Sequence, residues 1–167
     1  MMRNALLNEI DAARQLFQIS DADFRPLPFM TNWHKLEERI YHSFCRIEGK
    51  ARPIWLWERF KYGYQSLDLN VFTPDILNRL VPVDEFVWFM ATDGSYFFFY
   101  EGKIEAIQKV LSERCYLDEY YIISKKLNWL FCENHHRILM GTGSFAIQQL
   151  RAFARQFPEL VIGAYPA

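Results

Sequence analysis

Five consecutive residues, Cys132, Glu133, Asn134, His135 and His136, form the densest cluster of chemically capable side chains in the sequence. A thiol beside a histidine can serve as nucleophile and base, and a glutamate with a histidine can move protons. Cys132 and His135 also have the C-x-x-H spacing of half a zinc site. The natural second half is His42-x-x-Cys45, because positions three apart share a helix face. The helical wheel argues against it. The apolar stripe there is centred near Trp33 and Ile40, and at roughly 100° per residue His42 falls about 180° from Trp33, facing solvent. Catalysis meets a different obstacle. Neighbours on a strand point to opposite faces, so Cys132 and Glu133 act together only if the strand has already ended. The sequence holds no G-x-S-x-G, no H-E-x-x-H, no phosphate-binding glycine loop and no dinucleotide fingerprint.

The cluster therefore reads as a polar hairpin turn, in which Asn and His tolerate unusual backbone angles. No catalytic residue, metal ligand or cofactor is assigned. Glu133, Asn134, His135 and His136 carry more hydrogen-bonding capacity than a turn requires. They are expected to be exposed and to form a partner-binding surface. A turn histidine titrates near roughly 6.5, so binding there is expected to change between about pH 5.5 and 7.5.

The elements that must hold this turn are apolar runs. Tyr120–Ile123, Trp129–Cys132 and Ile138–Met140 are separated by short polar breaks, which predicts three strands in an antiparallel meander. Phe86–Ala91 and Tyr96–Tyr100 flank Thr92-Asp93-Gly94-Ser95, a strong hairpin signal. Both runs are apolar at nearly every position, so the hairpin is expected mid-sheet and covered on both faces, with Trp88, Phe89 and Phe98 buried. Helices are predicted over residues 4–19, from Thr31 or Asn32 to Ile47, from Thr73-Pro74 to Leu80, from Gly102 to Arg114, and from a Ser144 N-cap to Phe157. Ile54–Trp57 is predicted as a strand. The segment 59–70 is open between strand and loop, and Ser20–Pro28 reads as a connection. The tail from Leu160 to Ala167 is expected to pack back on the body. The sum is one α+β domain over 1–167: a largely antiparallel sheet of about five or six strands with four or five helices, which lie on both faces unless the second face is a partner site.

Composition narrows the function. Half the 167 residues are hydrophobic, enough for a real core. The net charge of −1 gives no global pull toward nucleic acid or anionic membrane. Three cysteines, Cys45, Cys115 and Cys132, with no C-x-x-C, are expected to be free thiols in a reducing compartment. The first fifteen residues lack a signal-peptide core, and no run approaches the roughly 20 apolar residues of a membrane helix. A cytoplasmic protein is expected.

Two further constellations compete with the turn. Arg46, Lys50, Arg52, Arg59 and Lys61 interleave with Trp55, Trp57, Phe60, Tyr62 and Tyr64, leaving a local charge of +3 against Glu48 and Glu58. Basic groups among stacking aromatics suit single-stranded nucleic acid. The plainer reading is core tryptophans with solvated charges. Asp68, Asp75, Asp84, Glu85, Asp93, Glu101, Asp118 and Glu119 mostly flank strands. They are polar punctuation, or they gather at one rim as an acidic surface for a basic partner.

The string EYYIISKKLNWLFCENHH resembles a segment of small bacterial proteins. Some of these are similar in size and layout to immunity proteins of toxin systems, including the superfamily named for cell-wall assembly regulators. The resemblance spans residues 86–143. It departs from that superfamily at Leu27-Pro28, which is not followed by the L-P-x-x-[YF]-x-x-[FL] helix and N-G turn. It implies protein binding without catalysis and assigns no site residue. The leading expectation is thus a non-enzymatic domain with a protein partner, of the immunity or antitoxin kind. The alternatives are a small hydrolase or metal-dependent enzyme at Cys132–His136, and a single-stranded nucleic-acid binder using Arg46–Tyr64.

Overall fold

The computed structural model describes residues 4–28, 30–49 and 52–166. Among these, the runs predicted as the meander are strands β5 (Glu119–Ile123), β6 (Leu130–Glu133) and β7 (Ile138–Thr142). The Asp-Gly hairpin is β3 (Phe86–Thr92) and β4 (Phe97–Lys103). Three more strands complete one antiparallel sheet: β1 (Phe24–Pro26), β2 (Tyr64–Leu69) and β8 (Val161–Tyr165). The order across the sheet is β1-β4-β3-β5-β6-β7-β2-β8. Eight strands exceed the five or six expected from the sequence. The extra ones lie at or near the edges, where pairing with a neighbour, not local pattern, makes a strand. β1 is three residues containing Pro26, in the segment that reads as a connection, and proline is tolerated because this is an edge.

Helices α1 (Ala5–Leu16), α2 (Trp33–Phe44), α3 (Leu77–Leu80), α4 (Ile104–Ser112) and α5 (Ser144–Gln156) flank the sheet. The side chains of Asn4 and Asn32 cap α1 and α2. Two starts differ from expectation. Gly102 stays in β4, and α4 begins at Ile104. Gly143, not Ser144, is the N-cap of α5, and its side-chain-free backbone has φ +89°. A Cβ there would lie 2.3 Å from the Asn128 carbonyl oxygen, so only glycine fits. Ile54–Trp57 is not a strand. Leu56–Arg59 forms a 3-10 helix that lays Leu56 onto the sheet. Leu56 and Trp57 serve tertiary packing rather than a ladder, while Ile54 is exposed.

The core has two layers. α1, α3, α4 and α5 pack on one face, over Val87, Phe89, Tyr120, Ile122, Phe131 and Leu139. α2 and the Leu56–Arg59 turn pack on the other, over Met90, Tyr121, Ile123, Leu130 and Cys132. Burial on both faces explains the near-continuous apolar runs. Phe89 is fully buried, whereas Trp88 and Phe98 are half-buried, closer to the strand margins than expected. The second layer is narrower than the sheet. Met140 of β7 still belongs to this layer, whereas Tyr64 and Tyr165 at the β2–β8 end of the sheet are exposed. No helix among the described residues is long and apolar enough to cross a membrane.

Candidate functional site

The β6–β7 turn is fixed from within by one side chain. Asn134 Oδ1 accepts hydrogen bonds from the backbone N–H groups of His136 (3.0 Å) and Ile138 (3.1 Å). Its own N–H donates to the Ile138 carbonyl, and its carbonyl accepts from Arg137. The left-handed residue of the turn is Arg137, at φ +63°, not Asn134. Asn134 acts through its amide, not through a permissive backbone. It is buried, and so is Glu133. The expectation of a wholly exposed turn is therefore corrected: only His136 is fully exposed, with His135 half-buried.

Two glutamates anchor the turn from beneath. Glu119, fully buried at the start of β5, accepts at Oε1 from the His135 backbone N–H (3.0 Å) and from Trp57 Nε1–H (2.9 Å). Its Oε2 accepts from the Tyr121 hydroxyl at 2.8 Å. His135 Nδ1 lies 2.7 Å from Oε1. The His135 ring is packed between Trp55 (4.8 Å between centroids) and His136 (4.1 Å), with Trp57 at 5.9 Å. Glu133 faces the opposite side of the sheet. It accepts from Arg114 Nη2 (2.7 Å) and the Tyr120 hydroxyl (2.9 Å), with Arg137 Nη1 at 3.5 Å. The nearly buried Arg114 guanidinium stacks over Phe72 at 4.7 Å, and its buried Nη1 has no hydrogen-bond partner among the described residues.

Beside the turn, the uncovered end of the sheet forms an open groove of about 510 Å³. Its floor is read from one face of three strands: Tyr64, Ser66 and Asp68 of β2, Ile138 and Met140 of β7, and Gly163 and Tyr165 of β8. The register puts Ser66 opposite Met140 and Tyr165, and Asp68 opposite Ile138 and Gly163. Trp57, Asn134 and His136 form the wall. Tyr64 and Tyr165 are exposed.

A family model described as a family of unknown function, DUF6756, matches residues 2–154, more than half of the chain. The chain belongs to the DUF6756 family. No match is found among curated proteins or solved structures. In this DUF6756 member the β6–β7 turn and most of the groove fall inside the matched region, while Gly163 and Tyr165 lie beyond it.

In this DUF6756 member the thiol of the Cys132–His136 cluster is enclosed. Burial, reinforced by the neighbouring Glu119 and Glu133 charges, pushes the Cys132 thiol well above its ordinary value, so it is not a poised nucleophile. It is fully buried in the cluster with Met90, Tyr121 and Met140 and does not itself line the groove. Burial likewise pushes Cys45 up to about 12. His42 is exposed, on the side of α2 away from the core. All three cysteines are free, and only Cys115 is exposed. Among the described residues no group of three or more His, Cys, Asp or Glu is arranged to hold a metal ion.

The basic–aromatic constellation is partly consumed by packing. Arg52 pairs with Glu37 (3.0 Å) and covers the Tyr41 ring, Lys61 donates to the His42 carbonyl, and Phe60 is buried. Lys50 lies outside the described residues. Arg46, Arg59 and Tyr62 remain exposed. The acidic residues divide by strand register. Thr92 pairs with Glu119, Tyr120 with Glu133, and Asp68 with Ile138. Asp68, Asp93, Asp118, Glu119 and Glu133 thus share one rim. Asp84 and Glu85 precede β3 at the other rim, where Glu101 is held by Arg25 and Lys125. Sequence reasoning missed Arg114 and the groove residue Tyr165; it named Tyr64 and Asp68, but in the basic–aromatic and acidic constellations and not as neighbours in one groove. The alternation in Tyr64-Gln65-Ser66-Leu67-Asp68-Leu69 was the available signal, with one apolar-poor face.

Proposed function

We propose that this DUF6756 member is a non-enzymatic binding domain whose partner is a protein, recognised at the groove beside the β6–β7 turn. One observation carries this reading: exposed His136, Tyr64 and Tyr165 converge with Trp57 on an open groove whose wall is held rigid by Asn134 and Glu119. Rigid aromatic side chains around a concave patch are what protein-binding hot spots use, because little rotamer freedom is lost on binding. Of the four turn residues, His136 and Asn134 line the groove, His135 stacks behind it, and Glu133 supports the turn from the opposite face. The resemblance of residues 86–143 to immunity proteins supports a toxin as the partner, which the domain would hold inactive.

The test is affinity capture from a lysate of the source organism, comparing wild type with a Tyr64→Ala, His136→Ala double variant. Both positions are exposed, so the variant should melt within a few degrees of wild type. The reading expects a partner held by wild type and lost by the variant. Identical capture by both proteins would refute it.

A further inference from the structure

We infer that the groove takes an arginine side chain of the partner, with Asp68 as its counter-charge; this rests on the protein-binding reading above. The groove contains one carboxylate, that of Asp68, and no lysine or arginine. Asp68 makes no side-chain hydrogen bond or ion pair among the described residues. The two arginines that share the neighbouring cavity with Asp68, Arg114 and Arg137, both pair with Glu133 and not with Asp68. An available carboxylate at the edge of an aromatic groove is complementary to a cation.

The surroundings select the kind of cation. Asp68 pairs in register with Gly163, where a Cβ would meet nothing within 4 Å, so the floor beside the carboxylate is open. Tyr64, Tyr165 and Trp57 line the same groove. A planar, weakly hydrated guanidinium can stack on such rings while one edge pairs with a carboxylate, and an ammonium cannot do both as well. The aliphatic stem of the same side chain would lie against Ile138 and Met140.

The experiment is a nitrogen–proton NMR titration of the full chain with Nα-acetyl-arginine amide and with Nα-acetyl-citrulline amide, its neutral isostere. The arginine probe should shift the Trp57 indole and Gly163 amide signals saturably, at least about tenfold more tightly than citrulline. Asp68→Asn should bring arginine binding down to the citrulline level without moving the melting temperature. Equal binding of the two probes, an unaffected Asp68→Asn variant, or the absence of saturable shifts at the groove would each overturn the inference. If the capture experiment still loses its partner with Tyr64→Ala, His136→Ala while the arginine probe fails, the binding reading stands and only the arginine assignment falls. If the probe binds as described while capture is unchanged by that variant, the protein-binding reading falls and takes the partner arginine with it.

Discussion

Glu119 and Glu133 sit at the same rim on opposite faces of one sheet, and both are buried to about 1% or less. Each accepts a tyrosine hydroxyl, Tyr121 for one and Tyr120 for the other. They differ in what compensates the charge. Glu133, on the larger core, meets the permanent charge of Arg114. Glu119, on the narrower face, meets several separate partners and no arginine or lysine: the Trp57 indole N–H, the His135 backbone N–H, the Tyr121 hydroxyl and the His135 ring. The difference teaches where stability and recognition are located. An ion pair taken out of water is intolerant of losing either member. A carboxylate held by several separate side chains and a backbone N–H spreads the load, and in doing so it positions the groups that border the groove.

The sharpest way to break the comparison is Arg114→Ala. It leaves Glu133 buried without its principal counter-charge and should cost about 3–5 kcal/mol in urea denaturation. A loss under about 1 kcal/mol would place Arg114 outside the packing scheme. Glu119→Gln is the matched test on the other face. The amide keeps an oxygen for the indole and backbone N–H groups, and its NH₂ can donate to a reoriented Tyr121 hydroxyl, so the expected loss is about 0.5–1.5 kcal/mol. If it equals the Arg114→Ala loss, the separate partners and the ion pair are not distinguishable here.

A third carboxylate sharpens the picture. Burial alone would raise Glu101, but the hydrogen bonds from Lys125 and Arg25 outweigh it and hold the carboxyl below its ordinary range. Its folded value is thus below the unfolded one, about 4.3. The stabilisation is complete above that value and is lost as pH falls through the lower folded value. Melting temperature followed from pH 6 to pH 2 should show a shallower acid decline for Glu101→Gln than for wild type. The mildest test touches no stability at all. In native protein a thiol reagent should modify Cys115 alone, with Cys45 and Cys132 reacting only after unfolding. Three fast-reacting thiols would mean that the α2 face is loosely closed.

The parts of this fold that can be read from sequence are those whose signal is local. The Asp93-Gly94 hairpin, the meander, and the stripes of α1, α2 and α5 are each specified within a dozen residues. β1 and β8 are not, because three residues ending in Pro26, or Val161–Tyr165 at a tail, become strands only beside Glu101 or Leu67. Ile54–Trp57 carries strand-type residues in a segment where no neighbour pairs with it along a ladder. The turn at 133–136 is visible as a cluster, but its orientation depends on Glu119 and Arg114, residues on other elements whose faces are set by tertiary pairing. That is why Glu133 and Asn134, polar and in a turn, were expected in water and are buried.

The position of β2 has a kinetic consequence. β7 and β8 are each antiparallel to β2, with a gap one strand wide between them, and β2 fills it from much earlier in the chain. Ser66 bonds to the Tyr165 carbonyl across 99 residues. Contacts of such separation reward the chain only after a long loop has been closed, whereas the β3–β4 hairpin closes across a four-residue tip. The sheet should therefore grow from the hairpin and the meander outward, with β2 threading into its slot late. Pulse-labelled hydrogen exchange during refolding should protect β3 and β4 amides before those of β2 and β8. The floor of the groove, built from those last two strands and β7, would then exist only in molecules that have finished folding, so a partner that reads this floor would distinguish a completed chain from one still on its way.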